Sequence, residues 1–319
     1  MTAKKRMRYL AEYALFSTLL FVVRCLPVST SIRAAKGLAW CVCRLAPTKA
    51  TRYSVARENI RTAFGEEVDD AEADRMILGM WQHLARMVFE IIQMDRRLRL
   101  HNCTQHIDFF QRSKAVRALM QDRPVILLGG HFGNWEVSIN TFGDFGMPMG
   151  VVGRDLDNPW LHKWFQNVRE SKGNWLISKS GASTELVAAM EKKESVSLLA
   201  DQDAGRRGVF VDFFGRPAST FKSIALLALQ NDGLVVVGGA YRLPQDHQDS
   251  CWVRFNMATE DVIDSRDFDT ADGMTGLTQA YTSAIERLVR KAPEQYFWIH
   301  RRWKSEPRKK KSSSAKSAA

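Results

Sequence analysis

The sequence predicts an α/β protein with a central mixed sheet flanked by helices, preceded by membrane-associated helices at the amino terminus. Three observations carry that expectation. From residue 124 onward, short apolar runs alternate with stretches of helical periodicity, as in a sheet covered by helices. Before that, two apolar stretches follow one another, YLAEYALFSTLLFVVRCLP (9–27) and AAKGLAWCVCRLAP (34–47). Finally, 319 residues at 45% hydrophobic and 25% charged composition suffice for one large core or two smaller ones.

The first apolar stretch is interrupted. Glu12 and Arg24 leave eleven uncharged residues between them, short of the roughly 20 needed to cross a bilayer. Lys4 to Arg8 resemble the start of a signal peptide, but Pro27 and VSTSIRAA make a poor cleavage site. Two marginal helices in a row suit a hairpin or interfacial anchor, with a pair of amphipathic core helices as the alternative. Residues 50–65 and 71–95 have helical spacing, the latter through Met76, Met80, Leu84 and Val88. Strands are expected at 124–128, 149–153, 196–200, 234–240 and 251–256. Helices are expected at 134–142, 158–172, 182–193, 219–231 and 269–291. The chain then divides into an anchor (1–48), a folded domain (49–303) and a basic disordered tail (304–319).

The net charge of +11 sits at the ends. Residues 1–24 carry +4, residues 301–319 carry +7, and the chain between them is neutral. A fold that reads nucleic acid carries its charge on the fold, so no nucleic-acid partner is expected. Basic ends suit an anionic membrane surface, or a solvated tail. The five cysteines, Cys25, Cys41, Cys43, Cys103 and Cys251, are odd in number and match no zinc spacing. A reduced compartment and no metal are expected.

The chemistry is expected in PVILLGGHFGNWE, residues 124–136. A strand ending in Gly129 and Gly130 delivers His131 to the carboxyl edge, where α/β sheets place ligands. Gly130 and Gly133 let another group approach the backbone. His131 is suited to take a proton near neutral pH. Glu136, five residues on, is expected to return against the imidazole and fix its tautomer. Three other readings stay open: a nucleotide loop, although the full G-x-G-x-x-G is absent; a metal site, although H-E-x-x-H is absent; and a histidine that merely caps a helix.

Four ordered blocks then give a resemblance. GGHFGNWE resembles the H-x4-D/E block of the glycerolipid and lipid A acyltransferase superfamily. VVGRDLDNPWLHKWFQNVRESKG (151–173), LLADQDAGRRGVFVDFFGRPASTF (198–221) and APEQYFWIHRRWKSEP (292–307) are similar to later blocks of its lipid A biosynthesis branch. The similarity runs from about residue 50 to 307, and the apolar amino terminus matches that branch's membrane anchor. The Lys- and Ser-rich tail departs from it. The resemblance implies an acyltransferase-like fold and transfer of a fatty acyl group from acyl carrier protein or coenzyme A to a hydroxyl of a lipid A precursor. It implies no cofactor, and a place at the cytoplasmic face of the inner membrane.

On that reading His131 is the general base and Glu136 its partner. Backbone N–H groups near Gly130 to Gly133, or Arg154, are candidates for the oxyanion, and Arg154 could equally grip a phosphate. Asn158 belongs to the second block. Asp201, Gln202 and Asp203 are expected to position substrate at the same edge, with a turn as the alternative. Arg206, Arg207, Arg301 and Arg302 are candidates for acceptor phosphates. Tyr296, Phe297 and Trp298 are expected in the core or at the interface. An acyltransferase for another glycolipid or phospholipid, and a membrane-tethered lipid-binding protein without activity, remain as alternatives.

Overall fold

A computed structural model describes residues 2–179, 181–244, 252–268 and 271–307. Most of the proposed tail (308–319) and Cys251 lie outside the described residues. The helices are α1 (Ala3–Cys25), α2 (Val28–Leu45), α3 (Thr48–Thr51), α4 (Tyr53–Phe64), α5 (Asp70–Arg97), α6 (Cys103–His106), α7 (Arg112–Leu119), α8 (Trp135–Asp144), α9 (Pro159–Glu170), α10 (Ala182–Glu191), α11 (Lys222–Gln230) and α12 (Gly273–Lys291). The strands are β1 (Ile107–Phe110), β2 (Val125–Gly129), β3 (Gly150–Gly153), β4 (Trp175–Ser178), β5 (Val196–Leu199), β6 (Val209–Phe213), β7 (Arg216–Thr220), β8 (Leu234–Arg242) and β9 (Phe255–Asp264).

Seven strands form one mixed sheet in the order β1-β9-β8-β2-β5-β3-β4. β8, β2, β5, β3 and β4 run parallel, while β9 is antiparallel to β8 and β1 follows β9. β6 and β7 form a separate antiparallel hairpin. The alternation of side chains along a strand assigns the two faces. Ile126, Leu128, Val235 and Val237 pack toward Ile60, Met80, Leu227 and Ile285 of α4, α5, α11 and α12. Leu127, Val151 and Val236 face Ala118 and Ile139 of α7 and α8. Both faces are covered, so the central strands are nearly continuous apolar runs.

The helices the periodicity predicts all form, and side-chain caps at Asp69, Asn134 and Asn158 explain the starts of α5, α8 and α9. Asp69 opens α5 by accepting from Glu72 N at 2.7 Å, with Asp70 and Glu72 in the first turn and Arg96 and Arg97 in the last. Four strand expectations hold. The fifth is displaced: the strand begins at Phe255, and Trp252 and Val253 are buried ahead of it without belonging to it, Trp252 edge-on against His106 at 5.8 Å. The helix expected at 219–231 starts only at Lys222, because Ser219 and Thr220 close the hairpin strand β7.

At the amino terminus α1 and α2 both form and pack against α5 and α9. Gln93 of α5 donates to Val23 O and Ser31 Oγ, both at 3.0 Å, and Phe16 meets Trp164 edge-on at 4.9 Å. No helix among the described residues is long and apolar enough to cross a membrane. α1 leaves Met7, Leu15 and Phe21 exposed, and α2 leaves Leu38, Trp40 and Leu45 exposed.

Candidate active site

β2 and β5 are parallel neighbours, with Gly129 opposite Leu199. His131 and Asp201 each stand two residues beyond that pair, so the register alone brings them together. His131 Nδ1 lies 2.8 Å from Asp201 Oδ1, and the His131 backbone N–H donates to Asp201 Oδ2, also at 2.8 Å. Asp201 is buried, with 1% of its side-chain surface exposed, whereas His131 keeps 19%. A carboxylate can only accept, so Nδ1 carries the proton and Nε2 keeps its lone pair. Burial works against charging His131, but the Asp201 charge and hydrogen bond outweigh it and raise its pKa. Burial pushes Asp201 up, yet the His131 charge and hydrogen bonds hold it at about 2.

The carboxylate expected on His131 is therefore a different one. Glu136 is buried in the first turn of α8 and turns to α9. Its Oε1 accepts from Arg169 Nη2 at 2.6 Å and its Oε2 from Nε at 3.1 Å. A helix that starts after Asn134 carries residue 136 away from the loop that holds residue 131. Asn134 fixes that start: its Oδ1 accepts from Val137 N at 3.2 Å, and its Nδ2 donates to buried Glu90 at 3.0 Å.

Other expected residues separate into those at the edge and those spent on the fold. Gly130 sits against Asp201, where a Cβ would approach Asp201 Cβ to 3.4 Å. Gly133 is required by the backbone: φ is +60°, and a Cβ would fall 2.1 Å from Ala240 O. Three of the loop amides are engaged within the protein, while none of the hydrogen bonds among the described residues uses the N–H of Gly130 or Phe132. His131 N serves Asp201, Gly133 N donates to Gln295 O at 2.9 Å, and Asn134 N donates to Ala240 O at 2.6 Å. Asn158 is buried as the cap of α9, and its Nδ2 holds Tyr9 O and Glu12 of α1 at 2.9 and 3.0 Å, so it is not available to substrate. Asp203 caps Gly205 N at 3.1 Å and holds Ser305 Oγ at 3.0 Å, as the turn reading expects.

Arg302 is fully buried. It donates to Ser219 O and to Thr220 Oγ1, at 2.5 and 2.6 Å, and lies over Phe213 at 5.2 Å. It ties the closing segment to β7 and cannot reach an acceptor phosphate. Arg154, Arg206 and Arg207 are exposed, and among the described residues Arg154 makes no ion pair with Asp155 or Asp157. Tyr296 and Trp298 are core. Phe297 stands beside His131, with ring centroids 6.0 Å apart.

Two features escaped the sequence reading. His300 lies 5.0 Å from His131 between ring centroids, at 66°, and its Nε2 is 3.0 Å from Gln202 Nε2. A cleft runs from Gly130 and Trp135 along the α8 face of the sheet. Leu127, Ile139, Phe142, Met149 and Val151 line it. Gly129 and Gly238 floor it without side chains, and Arg169 forms part of its wall. Trp135 sits edge-on to His131 at 5.3 Å and lines the cleft beside it. Among the described residues, no three of His, Cys, Asp and Glu gather where a metal could sit.

The profile of the family described as "Bacterial lipid A biosynthesis acyltransferase" matches residues 1–305. The chain is 27% identical to "Lipid A biosynthesis palmitoleoyltransferase" of Escherichia coli K12, over 82% of this chain and 81% of that one. It is 26% identical to "Lipid A biosynthesis lauroyltransferase" of the same organism, over 96% and 95%. To "Phosphatidylinositol mannoside acyltransferase" of Mycolicibacterium smegmatis it is 23% identical, over 77% and 78%.

Proposed function

The chain belongs to the bacterial lipid A biosynthesis acyltransferase family, and we propose that it moves a fatty acyl group from an acyl thioester to a hydroxyl of a lipid A precursor, with His131 as base and Asp201 as its partner. The observation that carries this reading is the His131–Asp201 pair beside an apolar cleft whose lining residues Gly130, Phe132 and Trp135 flank His131. The cleft takes the acyl chain and brings the thioester carbonyl to the sheet's rim. His131 Nε2 removes the proton of the acceptor hydroxyl as its oxygen attacks. Asp201 stabilises the imidazolium that forms. Collapse of the tetrahedral intermediate expels the thiolate, which takes the proton back from His131. A thioester is already activated, so no enzyme nucleophile is required.

Glu136 acts at one remove, by holding Arg169 against the cleft wall. The donor is acyl carrier protein or coenzyme A, and both are anionic. Exposed Arg154, Arg206 and Arg207 offer phosphate-binding forks around the rim. The exposed apolar residues of α1 and α2, with Lys4, Lys5, Arg6 and Arg8 beside them, would seat the protein at the cytoplasmic face of the inner membrane without crossing it. A different glycolipid acceptor is the second reading, favoured by the phosphatidylinositol mannoside acyltransferases among the relatives.

The test uses full-length protein in detergent micelles with acyl thioesters on either carrier and several acceptor lipids. The expected product is a lipid A precursor heavier by one acyl group, seen by mass spectrometry. His131→Ala should lower the rate about 10²–10⁴-fold, the usual worth of a positioned general base. An alanine variant with the wild-type rate would remove the assignment.

A further inference from the structure

A second imidazole stands over the first. His300 is held through its backbone: its N–H donates to Phe297 O at 3.4 Å, and its C=O accepts from Arg302 N at 2.9 Å and from the Asn59 amide. Its ring is fixed by Gln202, whose Nε2 lies 3.0 Å from His300 Nε2. An amide nitrogen only donates, so this ring nitrogen accepts, and the proton of the neutral imidazole sits on Nδ1. Burial, then the nearby His131 charge, hold the His300 pKa at about 4, so the ring stays neutral while His131 cycles. Nδ1 bonds no protein group among the described residues. Three backbone donors near His131 are meanwhile engaged, those of His131, Gly133 and Asn134 with Asp201, Gln295 and Ala240, so a side-chain donor would add to what the Gly130 and Phe132 amides can offer.

We propose that His300 is a second catalytic residue, whose Nδ1–H donates a hydrogen bond to the thioester carbonyl oxygen as that oxygen becomes negative. This rests on His131 being the base. On addition, the carbonyl π pair moves onto oxygen. On collapse, the pair re-forms the C=O bond and the C–S bond breaks, with the proton carried by His131 alone. His300 keeps its proton throughout. Its neutrality suits that task, because a preorganised donor gains strength as charge develops beside it.

The test compares His300→Asn with His300→Leu in the full-length protein, with acyl thioester and lipid A precursor as substrates. The two side chains are of similar size and differ in carrying an amide donor. The leucine variant should lose about 10²–10³-fold in kcat, the worth of one oxyanion donor. KM should hold within about threefold, because a bond made only in the transition state is lost. Asparagine should recover most of the loss, and the acid limb set by His131 should stay in place in both. A leucine variant with near wild-type kcat, or an asparagine variant no faster than leucine, overturns the proposal. If neither variant folds, Gln202→Met tests it, since freeing the tautomer should cost about 2–5-fold in kcat; no loss overturns it. His131→Ala separates the two levels: activity there sinks the base assignment, whereas an inactive His131→Ala beside an active His300→Leu sinks this inference alone.

Discussion

The carboxyl edge of the sheet and the wall between α8 and α9 each bury one carboxylate, and each gives it a different cation. Asp201 meets an imidazole, and Glu136 meets a guanidinium. An imidazole can change charge near neutral pH, so its partner can follow a proton through a reaction. A guanidinium keeps its charge, so its partner only holds position. On the proposed mechanism the site separates proton chemistry from architecture, although both carboxylates belong to blocks that the sequence singles out.

The largest effect expected from that division is at Asp201. Asp201→Asn keeps the shape, but the amide donates to Nδ1 and leaves the proton on Nε2, where the base should be. The rate should fall about 10³–10⁴-fold, as when a base is locked in the wrong tautomer. The pH profile gives the sign. Because Asp201 raises the His131 pKa, the acid limb of kcat/KM in the unaltered protein should lie above the ordinary imidazole value if His131 is the base. Without the carboxylate charge only burial and the Lys179 charge remain, both of which lower the pKa, so the limb of the residual activity should move below it.

Glu136→Gln should act mainly on stability. It leaves the Arg169 guanidinium, 18% exposed, without its counter-charge. Breaking a buried pair from one side costs about 3–5 kcal/mol. Melting should show it, and Glu136→Gln with Arg169→Met should recover part of the loss. If Glu136→Gln instead shifted the acid limb and left melting unchanged, the contrast between the two carboxylates would be void.

The cleft sharpens the comparison, because on the proposed function it ties the edge to the acyl chain. Met149 precedes β3 and lies at the end of the cleft away from His131. Met149→Trp fills that depth, and the preferred chain should shorten by two or more carbons. The discrimination between chain lengths would then change by about 10–200-fold per methylene step in the tightest case. Competition between acyl thioesters of different lengths measures this directly.

Much of this arrangement was legible and part of it was not, for a definite reason. The strand ending at Gly129 and the strand 196–200 were both visible as apolar runs, and so was the edge they share. What local spacing could not supply was the register between them. Gly129 faces Leu199, which sets His131 against a carboxylate 70 residues away in preference to one five residues away. The signal was present, since LLGGH and SLLAD carry their polar residue at the same distance from the strand. β1 and β4 were not among the expected strands. The β6–β7 hairpin was hidden because its block resembles a family motif more than a strand pattern. His300 was invisible for a different reason: only the return of the chain past Phe297 brings it to His131.

The same limit applies to the arginines, and there the smallest effect is expected. Arg302 and Arg206 look alike in the sequence, yet one is buried over Phe213 and the other is exposed. Burial already pulls the Arg302 pKa down, which marks a charge held by the fold at a cost. Arg302→Met should therefore lower the melting temperature and leave the acceptor KM unchanged. Arg206→Ala with Arg207→Ala should do the reverse. Exposed charges interact through water and are screened over about 8 Å at physiological salt, so the KM for an anionic substrate should rise only a few-fold, about 1 kcal/mol at most. That rise should shrink as salt is added. A salt-independent rise would mean that these two arginines hold the substrate by geometry, and the division between rim and interior would have to be redrawn around them.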